Sequence, residues 1–178
     1  MVFLDEILFT KRAIKQREWS ARNTNLSADQ VELYVGYRAA LVSMTAEKGI
    51  QVVHIYDRAI TEPEFAYHLR TLREIAGDKP LALFMDNLHC HKNKEARELL
   101  AELDIRPIYN VGYSPEFNPI EAVFSKVKRQ FKDQRLHNLV TKIGFDMEDE
   151  IRKAFTGITP AHCAACTRKS RHLLERAT

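Results

Sequence analysis

Five apolar residues in succession, Leu81-Ala-Leu-Phe-Met85, run directly into Asp86. A run so short and so continuous suits a central parallel strand covered on both faces, because a half-exposed strand alternates instead. Parallel neighbours need a crossover between them, and the chain supplies one. Residues 93–103 put Ala96, Leu99, Leu100 and Leu103 on one helical face, and a second strand follows at Ile105 to Val111.

The segments upstream read differently. Residues 2–8 form a buried strand, and Tyr37 to Met44 and Ile50 to Tyr56 form two more. Ala46-Glu-Lys-Gly49 joins that pair as a hairpin. An irregular excursion or short hairpin is expected over residues 10–30, which carry Trp19. Thr61-Glu-Pro-Glu64 is a capping box with proline near the helix start. Phe65, Leu69, Leu72 and Ala76 then repeat at helical spacing, and Gly77 stops the helix. Helices are predicted at 119–135, 138–155 and 160–175. Three strands joined antiparallel, then two parallel strand–helix units, predict an α/β ribonuclease-H-like domain. Its sheet is mixed and five-stranded, flanked by helices. Residues 1–178 are expected to form one such domain, with 136–178 as a helical extension of it.

Composition removes several classes. No apolar run approaches a membrane span, and Asp5 and Glu6 interrupt the N-terminal apolar stretch too soon for a signal peptide. Three cysteines cannot all pair within one chain, so they read as reduced thiols in a cytoplasmic or nuclear protein. A net charge of +3 permits a nucleic-acid partner without requiring one, so the placement of the cations matters more than their sum.

The acids carry the chemistry. Asp5 ends the apolar run Val2-Phe3-Leu4, and Asp86 ends the central strand, where ligands bind in open α/β sheets. Strands 2–5 and 81–86 as sheet neighbours would set these two side by side. Glu121 follows Asn118-Pro119-Ile120, so a capping-box role is its plain alternative. Three carboxylates packed together repel, and Mg²⁺ or Mn²⁺ relieves that repulsion. Two such ions about 4 Å apart activate an attacking oxygen and stabilise a leaving one. His91 and Lys92 follow Asp86 closely and are candidates for contact with phosphate, or for His91 with an acid. A zinc site built on His89, Cys90, His91, His162, Cys163 and Cys166 lacks the usual spacing and is set aside.

The helix opened by Glu121 has an apolar stripe of Ile120, Val123, Phe124, Val127 and Phe131. Beside it lie Ser125, Lys128, Lys132 and Arg135, with Lys126 and Arg129 nearby. Many such charge runs are only a solvated face. In line with a metal-binding acid, this one predicts a track for a DNA backbone. Lys128, Lys132 and Arg135 would each add close to one unit to the salt dependence of binding.

Asp86-Asn87…His91-Lys92 followed by Tyr113-Ser-Pro-Glu-Phe-Asn-Pro-Ile-Glu121 resembles the catalytic domain of DDE superfamily transposases. The branch it resembles is the mariner-like elements and related bacterial insertion sequences. The 34 residues between Asp86 and Glu121, and the Phe3-Leu4-Asp5-Glu6 context with a tryptophan after it, belong to the same likeness. It covers roughly residues 2–135. Asn110-Val111-Gly112 stands where Leu-Pro-Pro is frequent, and Phe117 where leucine is. The resemblance implies metal-dependent cleavage at transposon ends and strand transfer into target DNA. Asp5, Asp86 and Glu121 would be the catalytic metal ligands for a pair of Mg²⁺ or Mn²⁺ ions. It also implies a homodimer and no small-molecule substrate. The N-terminal DNA-recognition module of such proteins is expected to be absent here. Two alternatives remain: a catalytically inert or domesticated DNA-binding and assembly module of the same fold, and a nuclease on RNA or hybrids, which usually carries a larger acid set.

Overall fold

The computed structural model describes residues 1–10, 37–87, 91–141, 144 and 146–177. Trp19 and the excursion expected around it, together with His89 and Cys90, lie outside the described residues.

The element order is β1 (Val2–Thr10), β2 (Tyr37–Thr45), β3 (Gly49–Tyr56), α1 (Glu62–Ala76), β4 (Leu81–Met85), α2 (Lys94–Glu102), β5 (Ile105–Tyr109), a 3-10 turn (Pro115–Phe117), α3 (Pro119–Thr141), α4 (Met147–Thr156) and α5 (Pro160–Ala177). The sheet order is β3-β2-β1-β4-β5. β1 pairs antiparallel with β2 and β2 with β3, while β4 lies parallel to both β1 and β5. This is the mixed ribonuclease-H-like arrangement the sequence predicts.

Alternation along β1 divides the core into two. Phe3, Ile7 and Phe9 face α3, α4 and α5, where they pack with Val123, Val127, Phe131 and Ile151. Val2 and Leu4 face the other way, onto Phe65, Leu69 and Leu100 of α1 and α2. β4 is thus covered on both sides, which explains its lack of polar positions. Gly49 closes the β2–β3 turn at φ +76°, and a Cβ there would stand 3.3 Å from Pro160. The glycine lets the hairpin tip sit against the start of α5.

Several boundaries differ from expectation: β1 runs on to Thr10 and α5 to Ala177, and three others are more informative. β5 stops at Tyr109 and not Val111, because the Asn110 side chain turns the backbone: its Oδ1 accepts the Val111 N–H at 2.8 Å and its amide donates to the Ser114 carbonyl at 2.8 Å. α3 runs six residues past 135 and crosses position 136, where the extension was expected to begin. The helix expected at 138–155 starts only at Met147, where the Asp146 side chain accepts the Asp149 N–H as N-cap. Among the described residues no helix is long and apolar enough to cross a membrane.

Candidate active site

β1 and β4 are in register with Val2 opposite Leu83 and Phe3 opposite Phe84. Carried on by two residues, that register sets Asp5 level with Asp86. Strand alternation turns Asp5 toward α3 and Glu6 toward α1. α3 begins beside Asp5, to which Asn118, the residue before the helix, donates its side-chain amide. Asp5, Asp86 and Glu121 therefore line one pocket of about 490 Å³, with the loop 110–115 and Asn118 as its rim.

The three acids differ in setting. Asp5 is buried, Asp86 one-third exposed and Glu121 exposed. One Asp5 oxygen accepts the Glu6 N–H at 2.8 Å, and the other accepts the Asn118 side-chain amide at 3.0 Å. Burial pushes the Asp5 carboxyl up to about 7, opposed by the Glu6 backbone hydrogen bond and reinforced by the negative charges of Glu121, Asp86 and Glu6. Glu121 takes no part in a capping box among the described residues. The Asn118 N–H is already given to the Pro115 carbonyl, which leaves the glutamate facing the pocket.

His91 is fully buried. Its Nδ1 lies 2.8 Å from Asp86 Oδ1, its ring stacks on Phe65 at 4.6 Å, and its Nε2 stands 4.0 Å from Glu6. Of the two contacts expected of His91, the structure shows the one with acids: at 1% exposure the ring reaches Asp86 and Glu6 and not solvent. Lys92 is half-buried, its ammonium 4.6 Å from the centre of the Tyr109 ring.

The cationic track is also corrected in part. Lys128, Arg129 and Lys132 are exposed, but Arg135 is only 3% exposed. The stripe Glu121, Ser125, Lys128, Lys132, Arg135 repeats every 3.5 residues, whereas the helix turns every 3.6. Such a stripe drifts by about 20° per heptad, and two heptads carry Arg135 beneath the protein surface. Lys126 is half-buried, and its charge bears on His162, Cys163 and Cys166 of α5 instead of on the track. Cys163 and Cys166 are free, buried thiols that pack in the core.

Three residues of the site escaped the sequence reading. Asn118 looks like a helix cap, yet its amide also donates to Asp5 across the fold. Asn110, seen only as a departure from a common pattern, pins the loop through Ser114, and its carbonyl accepts the Asn87 amide. Glu6 brings a fourth carboxylate close to His91, and strand alternation was the one signal for it. In the loop itself Tyr113 is fully exposed at φ +56°, a left-handed backbone that costs a side-chain-bearing residue about 1–2 kcal/mol.

The donors around the pocket are carboxylate oxygens, which suits a hard cation such as Mg²⁺ or Mn²⁺. Burial, and after it the negative charge of Glu121, Asp86 and Glu6, raises Asp5, and a cation in the pocket would offset that charge. Among the described residues no three Asp, Glu, His or Cys side chains stand close enough to hold one ion as they are. The acids border the pocket without closing a cage.

Residues 1–142 match the DDE superfamily endonuclease family. No curated protein matches the chain. Among solved structures, the Mos1 mariner paired-end complex with Mn aligns at a TM-score of 0.68 and 13% identity, over 98% of this chain and 53% of that one. The catalytic domain of Mos1 mariner transposase aligns at 0.59 and 12%, over 95% and 76%. A chain of the simian T-cell lymphotropic virus intasome in complex with PP2A regulatory subunit B56 gamma aligns at 0.60 and 16%, over 86% and 46%. At these identities the likeness is one of fold. The chain spans about half the length of the intasome and paired-end chains.

Proposed function

The chain belongs to the DDE superfamily endonucleases, and from that premise we propose that it cuts DNA strands and joins them by divalent-metal-dependent phosphoryl transfer in transposition. The observation that carries this reading is that Asp5, Asp86 and Glu121, delivered by three separate elements, line one pocket. Mos1 structures described as complexes with Mn and with Mg, and one with a left transposon end, supply the chemical precedent.

In this reading Asp5, Asp86 and Glu121 would hold Mg²⁺ or Mn²⁺. When bound, such ions would supply Lewis acidity at a phosphate and make an attacking oxygen more nucleophilic. The chain's own groups do the rest. His91 fixes the Asp86 carboxylate through a 2.8 Å bond while Phe65 clamps its ring. Asn118 holds Asp5 in place and satisfies one of its oxygens in a buried setting. Lys128, Arg129 and Lys132 offer exposed charge to a phosphate backbone along α3. Such fixed orientation supplies much of the rate in phosphoryl transfer.

One observation favours the alternative, a DNA-holding module without chemistry: no three of the described acidic, histidine or cysteine groups form a ready-made cage. Two measurements separate the readings. With the full chain and a plasmid substrate, nicking is expected only with Mg²⁺ or Mn²⁺, and Asp86→Asn should lower it by about 10³-fold, the loss of several kcal/mol of metal-borne stabilisation. Calorimetric titration with Mn²⁺ should show binding that Asp86→Asn weakens. A variant that nicks at the parental rate would sink the assignment of the metal site, and an inert module would show neither signal.

A further inference from the structure

The acid pocket does not end at Glu121. A second groove of about 480 Å³ adjoins it, and Pro115, Asn118 and Glu121 form part of both. Its opposite wall is α5, which contributes Lys169, Ser170 and Leu173. From α3 it takes Ser125, four residues or about 6 Å along the helix from Glu121. The groove therefore leaves the three acids and runs between two packed helices.

Lys169 is the cation of that groove. It is exposed, and it makes no ion pair with any described residue. Arg70, Arg152 and Lys153, by contrast, each lie within 3.2 Å of a carboxylate, while the exposed Lys128, Arg129 and Lys132 of α3 share the unpaired state of Lys169 but do not line this groove. Glu116 borders the same groove without forming an ion pair with Lys169. An uncommitted ammonium at the side of such a channel is available to an external anion. A space of this size is that of a small-ligand cleft, enough for one backbone strand and too small for a double helix. Leu173 adds an apolar surface for a sugar or base.

We infer that the DNA strand entering the acid pocket continues as a single strand into the groove between α3 and α5, where Lys169 positions the phosphate next to the one that reacts. This rests on the DNA-cutting reading above. The strand path is then bounded by two helices, and not laid along α3 alone. Residues at the far end of the chain become part of the substrate site.

The test uses the full chain in chelator, which stops cutting without a mutation, and a short fluorescein-labelled single strand followed by anisotropy over a salt series. Lys169→Ala is expected to weaken binding about 3- to 10-fold near 0.1 M salt and to lower the log–log salt slope by about 0.7, the value for one single-strand phosphate contact. Lys169→Arg should restore both. Arg70→Ala removes the same charge from α1 and should change neither. In metal-supported nicking, Lys169→Ala should raise KM and leave kcat near parental.

Parental affinity and slope in Lys169→Ala would overturn the path, as would equal losses in Lys169→Ala and Arg70→Ala. A parent chain that does not bind the strand overturns it outright. The two readings fail separately. Cutting by the parent alongside an unaffected Lys169→Ala leaves the chemistry standing and removes the path. Lys169-dependent binding without any metal-dependent cutting does the reverse.

Discussion

Thr61-Glu-Pro-Glu64 and Asn118-Pro-Ile-Glu121 carry the same local instruction: a capping side chain, a proline in the first turn and a glutamate at the third helical position. At the first, the instruction is obeyed. Glu64 turns back on its own helix, accepting the Thr61 N–H at 3.0 Å and the Thr61 hydroxyl, and also takes Arg58 at 2.7 Å. The Thr61 hydroxyl and Arg58 hold its carboxyl down to about 2. At the second, the preceding 3-10 turn takes the Asn118 N–H, and the Asn118 amide goes to Asp5. Glu121 is left facing the acid pocket. A helix start can thus serve the helix or a site, and what stands before its cap decides which.

The sharpest way to break this comparison is to neutralise each glutamate. Glu121→Gln should reduce metal-dependent nicking by about 10³-fold with little change in melting temperature. Glu64→Gln should keep nicking and lose about 1–2 kcal/mol of stability, a drop of about 2–8 °C for a domain of this size. If both variants lost activity and stability alike, the two helix starts would not differ in kind.

A smaller effect tests the Asn118 amide. Asn118→Ala removes a donor from Asp5 and should raise the Mn²⁺ concentration needed for half-maximal nicking by about tenfold, the low end for groups that orient metal ligands. Unchanged metal dependence would make Asn118 a helix residue and nothing more.

The smallest effect concerns acid stability around the first helix. His68 is buried beside His54, its Nδ1 3.1 Å from the other ring, and burial lowers its pKa from 6.5 to about 3. Glu64 is likewise depressed from 4.5 to about 2. Below pH 6.5 the unfolded chain takes up the His68 proton and the folded chain does not, so stability falls from there toward pH 3. Below 4.5 Glu64 adds a second loss as pH falls toward 2. Melting temperature followed against pH should show both limbs, and Glu64→Gln should flatten only the lower one.

Much of the fold was legible in the residues. The apolar stretch at residues 2–8, the unbroken run Leu81 to Met85 and the signals at Thr61 and Gly77 are all local, and each marks a strand or helix that is present, although β1 runs on to Thr10. Placements that depend on a partner were less legible. The end of β5 depends on what the Asn110 side chain binds, and the fate of Arg135 on a drift of 20° per heptad that no short window reveals. Which of its two expected partners His91 meets was decided by Phe65 of α1, which stacks on the ring and covers it.

The sequence by itself determined the order and kind of most elements, and that Asp86 follows a strand and Glu121 opens a helix, because these follow from side-chain chemistry within a few residues. Only the tertiary structure decided that Asn118 serves Asp5, that His91 braces Asp86 and that α5 brings Lys169 to the groove adjoining the acid pocket. Those partners are far apart in the chain, and packing of the helices against the sheet brings them together.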